Sequence, residues 1–248
     1  MLNTSSLGPT RSLEPTRRRP LGLFAIALVL AATPTLAQGH GGASPWTLDP
    51  EASVFAVITH KDGVAAKLAH NHLVTAHDVT AELAFDPGAP EASSLRFETP
   101  VEALQIDEPS EQARWYPRIA ELGLLDEEFS EIDAGKRDKI RGSMLGRKQL
   151  DARTHATLSG ATGAIKKDSE GLYVVELELT IKGQPASRPI SARYRVDGER
   201  LVIEGWGRFE FTDFGIKPYS AMLGAVKNAN GFHVYLQLEA TRASASDP

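Results

Sequence analysis

The segment LYVVELELTIKG, residues 172–183, alternates between apolar and polar side chains at almost every position. A period of two residues belongs to an extended strand, whereas the apolar pattern of an amphipathic helix repeats about every 3.6 residues. The polar face carries glutamate, threonine and lysine and is predicted to face water. The opposite face is predicted to be buried, and it carries Tyr173, Val175, Leu177, Leu179 and Ile181.

The same period of two recurs nearer the C-terminus. Residues 189–211 predict two strands joined at the Asp-Gly pair 197–198, which is a strong signal for a tight hairpin. His233 and Tyr235 have outward parity within the last predicted strand, residues 231–241. The inward face of that strand carries Phe232, Val234, Leu236 and Leu238.

Less regular alternation predicts four earlier strands, over residues 46–60, 73–86, 93–104 and 156–167. The first of these is predicted to be one long or broken strand. Together with the later runs they make eight strands, joined mostly by short turns. Eight consecutive antiparallel strands form either a sandwich or a closed barrel, and the period alone does not choose between them.

Two stretches break the alternation. Residues 105–148 are rich in Glu, Arg, Leu and Ala and predict a helical insertion. Residues 213–228 predict a loop with a short helix near 219–228. The sequence leaves open whether the insertion is a lid, an arm that joins two copies into a homodimer, or decoration.

The N-terminus has the parts of a secretory signal peptide. Three arginines precede an apolar run at 21–32, which is shorter than the roughly 20 residues of a bilayer span. We therefore expect export to the periplasm and no integral membrane span after cleavage. The expected division is a signal peptide at 1–37, a linker at 38–45, one barrel domain at 46–241 and a disordered tail at 242–248.

Cysteine and charge exclude several classes of function. The chain has no cysteine, so disulfides, thiolate metal sites and a cysteine nucleophile are excluded. Residues 1–37 carry four arginines and one glutamate, so the remaining chain has a formal net charge of −8 rather than −5. Such an acidic chain without a basic stripe is a poor candidate for binding nucleic acid or for electrostatic docking on anionic lipid.

Several motifs carry a family likeness together, in their order along the chain. They are WTLDPEASVFAVITH (46–60), KLAHNHLV (67–74), IRGSMLGRKQLDARTHATLSG (140–160), LELTIKGQPASRPI (177–190) and FEFTDFGIKPYSAM (209–222). With them the chain resembles the YceI-like family of exported proteins. The resemblance implies an all-β fold, namely an eight-stranded antiparallel lipocalin-like barrel, to which this chain adds its helical insertion.

The same resemblance implies binding rather than catalysis. Its expected ligand is a long apolar isoprenoid or lipid-like molecule, bound without a cofactor, carried in the periplasm, and stabilised by roughly 25 cal/mol for each Å² removed from water. His70 and His72 are headgroup candidates at the rim, and Phe214 and Tyr219 are lid candidates. Residues expected along the ligand tail are Phe55, Val57, Leu177, Leu179, Ile203, Phe209, Phe211, Val234 and Leu236.

A metal site and a filled barrel are the alternative interpretations. In a strand, His70 and His72 point to the same face, so they could chelate zinc or copper with a third ligand from His77, His60 or a carboxylate. The same histidines could instead bond backbone groups in a turn. A barrel filled by its own side chains would be a structural or interaction module. No Gly-x-Ser-x-Gly elbow or calcium-loop spacing is present, so an enzyme is not expected.

Overall fold

The computed structural model describes residues 44–125 and 127–242, and the predicted signal peptide and most of the predicted linker and tail lie outside them. Within this described part, two α-helices are present, α1 (Pro109–Glu121) and α2 (Ala134–Leu145). The strands are β1 (Ser44–Leu48), β2 (Val54–Asp62), β3 (His72–Ala76), β4 (Thr80–Phe85), β5 (Ser94–Pro100), β6 (Leu104–Ile106), β7 (Thr157–Lys167), β8 (Tyr173–Ile181), β9 (Gln184–Asp197), β10 (Arg200–Glu210), β11 (Ser220–Ala221) and β12 (Val226–Arg242).

Eight of these strands close into an antiparallel barrel. Pairing follows the order β1, β4, β5, β7, β8, β9, β10 and β12, and β12 pairs back with β1 through Arg242 and Trp46. The long β12 also pairs with β2, which is followed by β3 and β6. The predicted eight-stranded all-β barrel with a helical insertion is confirmed, and the pairing of β12 with β1 excludes an open sandwich.

Each of the first three predicted strands is broken into two. Between β1 and β2, Asp49 Oδ1 accepts hydrogen bonds from the backbone N–H groups of Glu51 and Ala52, at 3.0 and 3.1 Å. Between β3 and β4, Asp78 has a φ of +53°, and a 3-10 turn at Val101–Ala103 separates β5 from β6. Because of the first break, β1 and β2 pair with successive parts of β12.

Tight turns join β8, β9 and β10, which form the regular half of the barrel. The loop between β8 and β9 consists of Lys182 and Gly183, with φ values of +54° and +70°. Across the next loop Asp197 pairs with Arg200, and Gly198 has a φ of +58°. Positive φ matches such loops to the twist of the strands. The hairpin predicted at 197–198 is confirmed.

The inward faces predicted from alternation form the main core of the barrel. Leu177 and Leu238 are almost completely buried there. The ring of Phe209 stacks on those of Phe214 and Phe232, with centroids 5.9 and 6.1 Å apart, and Phe214 and Phe232 are tilted against each other at 6.2 Å. This aromatic stack fills part of the interior with protein and leaves the space beside it to a cavity.

The insertion consists of two helices in different surroundings. α1 lies on the outer face of β2, β3 and β12, where Trp115 and Ile119 are buried against Tyr235. α2 presents Ile140 and Met144 to the cluster that includes residues of β3 and β6. The short helix predicted near 219–228 is a single 3-10 turn, Met222–Gly224. Among the described residues, no helix is both long and apolar enough to cross a membrane.

Candidate functional site

A cavity of about 340 Å³ lies within the barrel, between the inward faces of β2, β3, β8 and β12. This volume is within the range of roughly 300–1,000 Å³ usual for small-molecule sites. Strand alternation explains its lining, because every second residue of each strand points inward. Side chains from β5, β6 and β12 complete the apolar wall, among them Phe97, Leu104, Ile106, Phe232 and Val234.

Most of the predicted ligand-binding residues come together at this cavity. They lie on β2, β3, β8, β12 and the loop after β10, which are distant in the sequence but adjacent in the barrel. That they bind a ligand stays a prediction. The predicted residues that line the cavity are Phe55, Val57, His72, Leu177, Leu179, Phe211, Phe214, Tyr219, Val234 and Leu236.

Three predicted residues lie outside this cavity. Ile203 lines a second, smaller cavity of about 80 Å³, together with Leu83 and Phe85. Phe209 is fully buried in the aromatic stack. His70 does not line the cavity, and its Nδ1 is buried without a hydrogen-bond partner in the described part of the chain. Burial is the main cause that lowers the pKa of His70 below its ordinary value.

The helical insertion supplies cavity residues that alternation does not identify. Ile140 and Met144 of α2 line the cavity, and Lys139 and Ser143 of the same helix lie beside them. Residues four apart share one face of a helix, so the spacing of Ile140 and Met144 is a signal for a buried edge. α2 therefore covers one side of the cavity, which favours the lid among the roles left open for the insertion.

A buried carboxylate holds the cavity-facing histidine. Asp107 Oδ2 lies 2.6 Å from His72 Nδ1, and Asp107 Oδ1 accepts hydrogen bonds from the backbone N–H of Leu73 at 2.9 Å and from the Gln112 amide at 3.1 Å. The Asp107 side chain has no exposed surface. Asp107 follows β6 with a φ of +53°, a backbone conformation that Asp tolerates better than most residues. Sequence reasoning missed Asp107, because nothing local pairs it with His72.

Thr59 adds a second polar group to the same region. It lies opposite His72 in the pairing of β2 with β3 and also lines the cavity. Its hydroxyl Oγ1 is buried and has no hydrogen-bond partner among the described residues. An unpaired buried hydroxyl usually costs about 1–3 kcal/mol, so it marks a position at which a partner is expected.

The ring of His70 lies 6.3 Å from that of His72, measured between centroids, but the remaining candidate metal ligands have other neighbours. His77 Nε2 lies 3.2 Å from the hydroxyl of Thr75. His60 and His233 form a pair elsewhere, with 2.8 Å between His60 Nε2 and His233 Nδ1. Within residues 44–125 and 127–242, no three His, Asp or Glu side chains are grouped so that they could hold a metal ion.

A family model for the YceI-like domain matches residues 46–240. The chain belongs to the YceI-like family. BcnA from Burkholderia cenocepacia has a similar fold, with a TM-score of 0.56 and 15% identity over 78% of this chain and 99% of BcnA. A polyisoprenoid-binding domain from Saccharophagus degradans gives 0.48 and 10% over 81% and 99%. The Campylobacter jejuni YceI protein gives 0.47 and 12% over 69% and 85%. No curated protein matches the sequence significantly.

Outside the cavity, this YceI-like domain holds α1 through a buried ion pair. Arg118 of α1 donates hydrogen bonds from Nε and Nη2 to the two carboxylate oxygens of Glu204 on β10, at 2.5 and 2.6 Å. Arg193 Nε donates to the same carboxylate at 2.7 Å, and the Tyr235 hydroxyl donates to it at 3.1 Å. Burial raises the pKa of Tyr235, and Glu204 adds to that rise. The predicted outward direction of Tyr235 is confirmed, but α1 buries it completely.

Proposed function

We propose that this YceI-like domain binds the chain of a long apolar isoprenoid or lipid-like molecule in its barrel and carries it without chemical change. The observation that carries the proposal is the apolar cavity, which α2 covers and which no described side chain fills. Membership of a family of binding barrels supports the same function. We propose no catalytic step.

The physical chemistry of the cavity suits an apolar chain. Its walls are mostly leucine, isoleucine, valine and phenylalanine from several strands, and Thr59 and His72 are among its polar lining groups. Each Å² of ligand surface removed from water contributes roughly 25 cal/mol, before the entropy lost by a flexible chain is subtracted. A long apolar chain that ends in a single polar group suits a cavity whose wall is mostly apolar and contains a few polar side chains.

We also propose export to the periplasm through the N-terminal segment. The support is the order of the arginines, the apolar run at 21–32 and the small residues before position 38. Such a location would place a carrier between two membranes, where a free isoprenoid chain is insoluble. Cleavage after Ala37 is the expected processing step.

One experiment addresses both proposals. The full chain is expressed in a Gram-negative host, recovered from the periplasmic fraction and measured by native mass spectrometry before and after organic extraction. We expect cleavage after Ala37 and an added mass in the isoprenoid or lipid range that extraction removes. Absence from the periplasmic fraction would overturn export, and a bare mass even after incubation with isoprenoids would overturn binding and favour a filled barrel. A mass increment of zinc or copper would instead support a metal-binding function.

A matched pair of variants on β8 sharpens the binding test. Leu177→Trp places a larger side chain in the cavity, since Leu177 lines it and is buried. Val174→Trp places the same side chain on the exposed face of the strand. We expect Leu177→Trp to remove the added mass and Val174→Trp to retain it. Equal retention by both folded variants would show that the ligand lies outside the barrel.

A further inference from the structure

Two hydrogen-bonding groups face the cavity side by side. Thr59 and His72 are opposite residues on adjacent antiparallel strands, so their Cβ atoms are about 4.5–5.5 Å apart. Both line the cavity. The Thr59 hydroxyl is buried and lacks a partner in the described protein. These two side chains can therefore form hydrogen bonds with a polar group of a ligand, which a purely apolar wall would disfavour.

The contacts of Asp107 fix the chemistry of the His72 ring. Asp107 acts as an acceptor toward Leu73 and Gln112, and an ionised carboxylate can only accept hydrogen bonds. With an ionised Asp107, Nδ1 of His72 carries the proton of the 2.6 Å contact and donates it to Oδ2. In the neutral ring this leaves Nε2 as an acceptor, and no described group is hydrogen-bonded to it.

The charges at this end of the cavity disfavour an anionic headgroup. The carboxylate of Asp107 balances any charge on His72. The cation that lines the cavity within the described chain is Lys139 of α2, and its side chain is exposed to solvent. A phosphate buried beside Thr59 would lie close to the Asp107 carboxylate without a dedicated arginine or lysine pair.

We propose that Thr59 and His72 form a subsite for an uncharged hydroxyl headgroup, such as that of an isoprenoid alcohol or phenol. The ligand hydroxyl donates its hydrogen to His72 Nε2 and accepts a hydrogen bond from Thr59 Oγ1. Asp107 is a positioning residue that holds the ring and its proton. This assignment rests on the proposed function, because it requires the ligand chain to occupy the barrel.

Four probes test the subsite: phytol, its methyl ether, the hydrocarbon phytane and phytyl phosphate. They compete in pairs for the purified domain, with occupancy read by native mass spectrometry. We expect phytol to exceed the ether by about tenfold, the factor that corresponds to about 1.4 kcal/mol. His72→Phe should bring that ratio close to one. Thr59→Val should weaken phytol and the ether together, because both present an oxygen to the threonine.

Thr99→Val is the matched control. Thr99 also lines the cavity, but its hydroxyl already donates to the backbone oxygen of His77 at 2.6 Å, so the ratio should not change. Equal binding of phytol, ether and phytane would overturn the subsite while leaving cavity binding intact, as would tighter binding of the phosphate. A ratio that survives His72→Phe would also overturn it. Binding of none of the probes would instead contradict the proposed function. If His72→Phe does not fold, the subsite is tested by the binding ratios of the four probes in the wild type and by the weaker binding expected for Thr59→Val.

A separate observation concerns two loops, here called the mouth loops, residues 61–69 and 215–228, of which the second lines the cavity through Ile216, Tyr219 and Asn228. They are joined by a hydrogen bond from Ala65 N–H to the backbone oxygen of Ala225, at 2.9 Å. Tyr219, which lines the cavity, is nearly half exposed in the second loop. The large apolar side chains that they expose are Val64, Leu68, Met222 and Leu223.

The conformation and charge of the mouth loops support an interaction surface. Met222 and Leu223 have φ values of +50° and +57°, which are unfavourable for bulky residues and keep Leu223 fully exposed. The two loops contain four lysines and one aspartate, although the whole chain is acidic. Lys61 pairs with Glu127 at 2.6 Å and Lys227 with Asp62 at 2.9 Å, so Lys67 and Lys217 are the lysines offered to lipid. Exposed apolar side chains flanked by lysines match the interface of a bilayer that contains anionic lipid.

We infer that the mouth loops dock the domain on a bilayer surface with the cavity opening toward the lipid. The net charge of the chain predicts poor electrostatic docking, but the mouth loops are opposite in sign to the rest of the chain. Val64 and Leu223 enter the interface, and Lys67 and Lys217 contact lipid phosphates. This inference does not depend on the identity of the ligand.

Sedimentation with phosphatidylcholine vesicles, with and without phosphatidylglycerol, tests the docking. We expect binding that increases with the anionic lipid and falls at least about tenfold in Val64→Ser/Leu223→Ser. Val174→Ser, which changes an exposed valine of β8, should bind like the wild type. Absence of wild-type binding, or equal binding by the double variant, would overturn the inference. Self-association through the mouth loops without vesicles would overturn it as well.

Discussion

The two helices of the insertion lie close together in the sequence but are attached in different ways. α1 buries Trp115 and Ile119 and is joined to β10 by the ion pair of Arg118 with Glu204. α2 has no fully buried residue, and it contributes Ile140 and Met144 to the wall of the cavity. A helix that covers a filled wall contributes strongly to stability, whereas α2, whose side chains are at most partly buried, can leave at a smaller cost. The comparison therefore assigns stability to α1 and access to α2.

The largest expected effect is a difference in the free energy of unfolding between a variant of α1 and a variant of α2. Trp115→Ala removes a buried ring that packs on Tyr235, with ring centroids 6.1 Å apart. We expect it to lower the free energy of unfolding by about 3–5 kcal/mol. Met144→Ala on α2 should cost at most about half as much, since Met144 is only partly buried. Urea unfolding measures both, and equal losses would remove the distinction between the helices.

A second change breaks the ion pair of α1. Glu204→Gln leaves Arg118 and Arg193 without their carboxylate, and Arg193 is nearly half exposed, so water compensates part of the loss. We expect a decrease of about 2 kcal/mol in the free energy of unfolding. Glu121→Gln is the control, because Glu121 pairs with the same arginine at the surface. If the two variants had the same urea midpoint, the buried pair would not hold α1.

A fall in pH should lower the free energy of unfolding through His233, which lies on β12. Burial, followed by the charge of Arg208, lowers the pKa of His233 below its ordinary value of 6.5. The unfolded chain then binds more protons than the folded one, so this stability is complete above pH 6.5 and is lost as the pH falls toward the folded pKa. Unfolding measured from pH 7.5 to 5 should show this decline, and His233→Gln should flatten it. An unchanged slope in the variant would assign the decline to other groups, such as His70.

The smallest effect on stability concerns α2. Arg141 of α2 donates hydrogen bonds to the backbone oxygens of Glu102 and Leu104, the first of them short and the second 3.0 Å. Arg141→Ala should cost less than about 1 kcal/mol in stability but increase the rate of ligand release up to about fivefold. Stopped-flow release of a fluorescent isoprenoid measures this. Arg153→Ala changes an exposed arginine outside both helices and should release ligand at the wild-type rate.

Local patterns predicted the regular half of the barrel well. The alternation in β8 and the Asp-Gly turn at 197–198 depend on neighbouring residues alone, so the sequence contains the information. The break before β2 depends on the turn that the Asp49 side chain stabilises, and the break after β3 depends on a left-handed Asp78; alternation reveals neither. Tyr235 was correctly predicted to point outward, but its burial depends on α1, which lies more than a hundred residues away in the sequence.

The candidate site was predicted in its apolar part and missed in much of its polar part. The alternation within each strand identified cavity residues such as Leu177 and Val234, because the inward-facing side chains of all barrel strands point into the same interior. His72 was identified from its spacing to His70 and from the family resemblance, but its partner Asp107 lies beyond three further strands and meets it only through the pairing of β3 with β6. Thr59 resembles any strand threonine until its unpaired hydroxyl is seen.

Hydrogen–deuterium exchange with and without saturating phytol tests the central claim most directly, namely that an apolar ligand occupies the barrel beneath α2. We expect the ligand to slow exchange in α2 and in the cavity strands β2 and β12, while the amides of α1 keep the rates of the free protein. Slower exchange confined to α1, or no change in α2 at saturation, would contradict a ligand in the barrel covered by α2.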